Sequence, residues 1–99
     1  MLRYGAAACQ VDQPNPRDRG EIGRNTGRML EMIDAAVEGY GPFMDIKLLV
    51  FPEFGHAAPI YPTAQGLLAK LTMPIPNEHT ERYHAKAKEL GVYIQTATF

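Results

Sequence analysis

Ninety-nine residues with 45% hydrophobic and 21% charged side chains suffice for one small folded unit and are too apolar for a disordered chain. A net charge of −1, with no run of lysine or arginine, argues against nucleic acid as a partner, and no apolar stretch approaches the roughly 20 residues of a membrane-spanning helix. The opening residues lack the apolar core of a secretion signal and the single cysteine excludes an internal disulfide, so the cytoplasm is the expected compartment.

The first predicted element is a strand over Tyr4 to Val11, "YGAAACQV", ended by Pro14 and Pro16. Its small and apolar residues show no clean alternation, which predicts burial on both faces. A helix is predicted from Glu21 to Glu38, where Leu30, Ile33 and Val37 recur at helical spacing beside Met29, Met32 and Ala36. Glu31, Asp34 and Glu38 fall largely off that stripe, and Gly39 and Gly41 offer a left-handed stop. Burial of four or five such side chains, at roughly 2 kcal/mol each, calls for a sheet beneath the helix.

A second strand is predicted over Ile46 to Phe51. Beyond it, Pro59, Pro62, Pro74 and Pro76 break the chain into a long loop with room for a short helical turn around Leu67 to Leu71. Asn77 stands where a helix cap belongs, ahead of Glu78, an acid suited to the positive helix start. In the helix that follows, Tyr83, Ala87 and Leu90 mark the apolar face, His79 and His84 are placed on the polar side, and Gly91 ends it. "VYIQTATF", from Val92 to Phe99, is β-branched and aromatic and reads as a third strand. The order β-α-β-α-β predicts an α/β fold with a parallel sheet and right-handed crossovers. Such a sheet would expose one face and both edges, so residues 1–99 are expected to be the front portion of one larger domain, or to be completed by another chain.

"KLLVFPEFG", residues 47 to 55, brings an apolar strand to an abrupt end at Pro52, followed at once by the carboxylate of Glu53. Functional groups in open α/β sheets gather beyond the carboxyl ends of the strands, and flanking by Phe51 and Phe54 would favour a proton-accepting carboxylate. The plain alternative is an ordinary loop acid. Phe54, His56 and Tyr61 follow it and are candidates to line a substrate pocket or merely to pack the loop. Cys9, in the first strand, reads as buried and unreactive, and Lys70, Lys86 and Lys88 as surface charges. The three histidines show no zinc-site spacing, and no glycine-rich phosphate loop follows the first strand, so neither metal nor cofactor is expected.

"LLVFPEF" resembles the strand-ending "FPE" segment of the carbon–nitrogen hydrolase (nitrilase/amidase) superfamily. "AAACQV", with Gln10, is similar to that family's first strand, Asn25 to an asparagine often found at the start of the apolar helix, and "MPIPNEHTERYHAKAKELGVYIQTATF" to the segment leading into strand three. The resemblance implies a four-layer αββα sandwich of which this chain is the amino-terminal part. It also implies a Glu-Lys-Cys mechanism acting on amide, N-carbamoyl or nitrile substrates, with Glu53 as general base, and a homo-oligomer for the whole protein. The family's lysine and cysteine lie downstream of strand three, so the 99 residues alone are expected to be inactive. A different class of reading also fits the sequence: a non-catalytic, truncated α/β interaction module that pairs with a complete subunit.

Overall fold

The computed structural model describes residues 3–11, 15–52 and 62–96. β1 (Gly5–Ala8) and β3 (Tyr93–Gln95) each pair in parallel with β2 (Ile46–Val50), which lies between them. α1 (Arg19–Tyr40) connects β1 to β2, and α2 (Ala64–Lys70) and α3 (Glu78–Leu90) lie between β2 and β3. The expected parallel order is therefore present, and α2 lies where the sequence left room for a short helical turn, beginning three residues earlier than Leu67. α1 and α3 pack against each other and against the same core, the arrangement that two crossovers of one hand produce on the strand order β1-β2-β3.

That one-sided cover corrects the expectation for the first strand. Ala6 and Ala8 are exposed, while Ala7 and Cys9 turn towards the helices. The small residues of β1 reflect close approach rather than double burial: a Cβ on Gly5 would meet the Ile46 side chain at 2.8 Å and the Met44 sulfur at 2.9 Å. The pairing slips by one residue between Gly5 and Ala6, so that Ile46 and Leu49, three apart, both reach the core. The core joins Ile46, Leu49 and Phe51 to Met29 and Ile33 of α1, Tyr83 of α3, and Val92.

The buried stripe of α1 begins earlier than its apolar periodicity indicates, running through Ile22, Asn25, Thr26, Met29 and Ile33. Leu30, Met32, Ala36 and Val37 pack at its margin, half-buried. Gly41 does not provide a left-handed stop: it keeps right-handed helical geometry, with φ −49° and ψ −41°, and its N–H donates to the Val37 carbonyl. The chain leaves through a further turn in which the Phe43 and Met44 N–H groups both donate to the Tyr40 carbonyl.

α3 is closed as expected. The Asn77 side chain accepts from the N–H groups of His79 and Thr80, at 2.8 and 3.0 Å, and the Thr80 hydroxyl accepts from the Asn77 N–H. Gly91 ends the helix at φ 66°, a conformation that favours glycine. Lys86, expected to be a simple surface charge, instead ties the two long helices together. Its ammonium lies 3.0 Å from Asp34 and 3.1 Å from Glu89, and the bond to Asp34, then that to Glu89, raises its pKa.

Candidate functional site at the carboxyl edge of the sheet

Because the three strands are parallel, their carboxyl ends share one edge. The ladder continues there past the regular strands, through Cys9 N–H to Val50 O at 2.8 Å and Phe51 N–H to Gln95 O at 2.9 Å. Between β1 and β2 this edge carries an open depression of about 320 Å³, lined by Ala8, Cys9, Gln10, Val50, Phe51 and Pro52. Phe51 and Cys9 are buried, whereas Gln10 and Pro52 are exposed, so an apolar floor carries a polar amide at its rim. Pro52 is followed in the sequence by Glu53. Glu53, Phe54, His56 and Tyr61 all lie outside the described residues.

Cys9 is present at this edge but poorly disposed as a nucleophile. It is 8% exposed, its sulfur is directed to the Ala7 carbonyl at 4.0 Å, and burial raises its thiol pKa. The neutral thiol is the weakly reactive form.

A second polar cluster lies between α1 and α3, and the sequence reading missed it. His79 is not on the polar side of its helix: it is 2% exposed, and its Nδ1 is 3.0 Å from the Thr26 hydroxyl. Its Nε2 faces the Glu78 carboxylate at 3.4 Å, and the Tyr83 hydroxyl donates to the Met29 sulfur at 3.3 Å. His84, by contrast, is exposed as expected. Extending the stripe of Tyr83, Ala87 and Leu90 back by one turn would have placed residue 79 on the buried face, because residues four apart share a helix face.

The Thr26–His79–Glu78 line has the outline of a nucleophile, a base and an orienting acid. Thr26, however, is 0% exposed, so no substrate atom can reach its hydroxyl, and the cluster serves packing. Arg82 lies over the same contact and donates to the Gly23 carbonyl at 3.1 Å.

The buried imidazole makes the helix pair sensitive to acid. Burial lowers the His79 pKa; the Glu78 carboxylate opposes this and the Arg82 guanidinium reinforces it. A histidine with a folded pKa below its unfolded value of about 6.5 binds its proton more readily in the unfolded chain. Its contribution is therefore fully present above that pH and is lost as pH falls below it. The thermal midpoint should drop between pH 7.5 and 5.5 more steeply in the wild type than in His79→Asn, which keeps a polar atom near Nδ1. Parallel pH profiles would rule this out.

At the opposite, amino edge, an opening of about 590 Å³ lies on the uncovered face, lined by Arg3, Tyr4, Asp45, Lys47, Leu48 and Tyr93. Its charges are partly satisfied by the Lys47–Asp45 pair at 3.4 Å. Among the described residues, no group of three or more His, Cys, Asp or Glu side chains could hold a metal ion, and no helix is long and apolar enough to cross a membrane. Compared with known proteins, the sequence matches no family model and no curated protein.

Proposed function

We propose that the chain is the amino-terminal portion of a carbon–nitrogen hydrolase of the nitrilase/amidase type, with Glu53 as general base. The observation that supports this reading is the ending of the central strand: β2 is flanked on both sides, and the two residues that follow it, Phe51 and Pro52, line the depression at the carboxyl edge immediately before Glu53 in the sequence. A free thiol has a pKa of about 8.5, so a carboxylate that takes its proton creates the nucleophile the reaction needs.

In the proposed reaction, the thiolate attacks the amide carbon while the lysine stabilises the developing oxyanion. The C–N bond breaks, the departing amine takes a proton from the carboxylic acid, and a thioester remains. Water, deprotonated by the same carboxylate, then releases the acid and restores the thiol. The resemblance implies that the lysine and the attacking cysteine come from sequence following β3, in the complete αββα sandwich; in keeping with this, Lys86 is held by Asp34 and Glu89, and Cys9 is buried with a raised thiol pKa. Amide and N-carbamoyl compounds are favoured over nitriles as substrates on the resemblance of residues 74–99 to amidase-like members of the family.

The uncovered sheet face favours a second reading, a non-catalytic module that pairs with a complete subunit. Tyr4 and Tyr93 stand 54% and 78% exposed there, beside half-buried Leu48. Ammonia release from primary amides and N-carbamoyl compounds separates the two. The hydrolase reading expects turnover from the reading frame extended past Phe99 and none from residues 1–99. Turnover by residues 1–99 that survives Cys9→Ala, or no turnover by the extended frame, would overturn it.

A further inference from the structure

Arg19, the first residue of α1, places three N–H groups on three carbonyls of a distant segment. Nε donates to Thr72 O, Nη1 to Ala69 O and Nη2 to Leu68 O, each at 2.7 Å. Leu68 and Ala69 belong to the last turn of α2, where carbonyls have no acceptor role left within the helix and a cation complements the dipole. The planar guanidinium can meet such a divergent set of acceptors; an ammonium cannot present the same fork.

α2 depends on these contacts more than the longer helices do. Seven residues are too few for a helix to persist on its own, and Leu68 is 64% exposed. Its start is closed by Thr63, whose hydroxyl accepts from the Gly66 N–H at 3.0 Å, and its end by the Thr72 hydroxyl, which donates to Leu68 O at 2.9 Å. Both of those bonds are local. Among the described residues, Arg19 adds hydrogen bonds across 49 to 53 residues of sequence, beside the fully buried Leu71 just past the helix end.

Topology gives that tie its direction. α1 follows the carboxyl end of β1 and returns antiparallel to the strands, so its first residue lies towards the carboxyl edge of the sheet, the edge from which Pro52 leaves β2. We infer that Arg19 is a positioning residue: its guanidinium fastens α2 and Thr72 to the start of α1, and the segment so fastened serves as a wall of the carboxyl-edge site. The wall's role in substrate binding rests on the hydrolase reading; the fastening does not.

Hydrogen exchange on Arg19→Ala tests the fastening without any assay of activity. Loss of charge-assisted hydrogen bonds should speed amide exchange over residues 64–72 by about tenfold or more, with Ile22–Val37, β2 and α3 within about twofold of wild type. Arg19→Lys should fall between. Unchanged exchange over 64–72, or an equal rise throughout the chain, would overturn the inference, the latter because it marks a merely global loss of stability. In the active protein, Arg19→Ala should raise KM about fivefold or more with kcat nearly retained, the pattern of lost binding. An unchanged KM would remove the wall role. Failure of the hydrolase reading would appear separately, as absent ammonia release, and leaves the exchange result decisive.

Discussion

Replacing Glu53 with glutamine in the active, extended protein is expected to lower kcat by about 10² to 10⁴-fold, the contribution of a positioned proton acceptor. The amide matches the carboxylate in size and keeps an acceptor oxygen, but it cannot take up the thiol proton at neutral pH or pass one to the departing amine. Both half-reactions should therefore slow, and the thioester should not accumulate. Removal of the base should also flatten the acidic limb of the pH–rate profile. The thermal midpoint should hardly move, since a polar-for-polar exchange of equal volume removes no apolar contact. Activity within a few-fold of wild type would reject Glu53 as the base and, with it, the proposed mechanism.

The largest effect on stability is expected from Leu49→Ala. Leu49 is 0% exposed on the helix-covered face of the middle strand, in register with Ala7 on one side and Ile94 on the other, and belongs to the same buried cluster as Met29 and Ile33. Truncation removes transfer free energy and leaves a cavity, together about 2 to 5 kcal/mol. A domain of this length has a total stability of roughly 5 to 15 kcal/mol, so the variant should lose a large share of it. Urea unfolding monitored by circular dichroism would show this as a lower midpoint with an unchanged slope. Leu48→Ala, on the uncovered face, provides the comparison. Its cost in residues 1–99 should be well under that of Leu49→Ala, and it should rise in the longer protein if a second sheet covers that face. Equal effects of the two substitutions in residues 1–99 would contradict the one-sided core.

The two experiments read different levels of the molecule. Leu49 tests whether the sheet and helices form one core; Glu53 tests what chemistry is attached to its edge. Arg19 and His79 lie between these levels, because each forms bonds to residues 49 to 53 positions away without contributing to the apolar stripe.

Local chemistry was enough to read most of the architecture. Asn77 and Gly91 bound α3 because capping and a left-handed stop involve only neighbouring residues. Ile46 to Val50 could be identified as a strand from its own apolar run, and the alternation of strands with amphipathic helices predicted parallel pairing. Phe51-Pro52-Glu53 marked the candidate site for the same reason: the sequence there changes abruptly from apolar to charged. Partner choice across the fold was not legible in the same way. The burial of His79 depends on Thr26, 53 positions away, and a histidine has no composition signal that separates a buried hydrogen-bonded ring from an exposed one. The three bonds of Arg19 end on backbone carbonyls, which every residue carries, so no side-chain pattern announces them. The exposure of Ala6 and Ala8 followed from both crossover helices lying on one side, a consequence of strand order rather than of the alanines themselves. Periodicity and caps are properties of adjacent residues and can be read along the chain; burial, pairing and pKa depend on what is brought near from elsewhere, and the packed fold alone sets them.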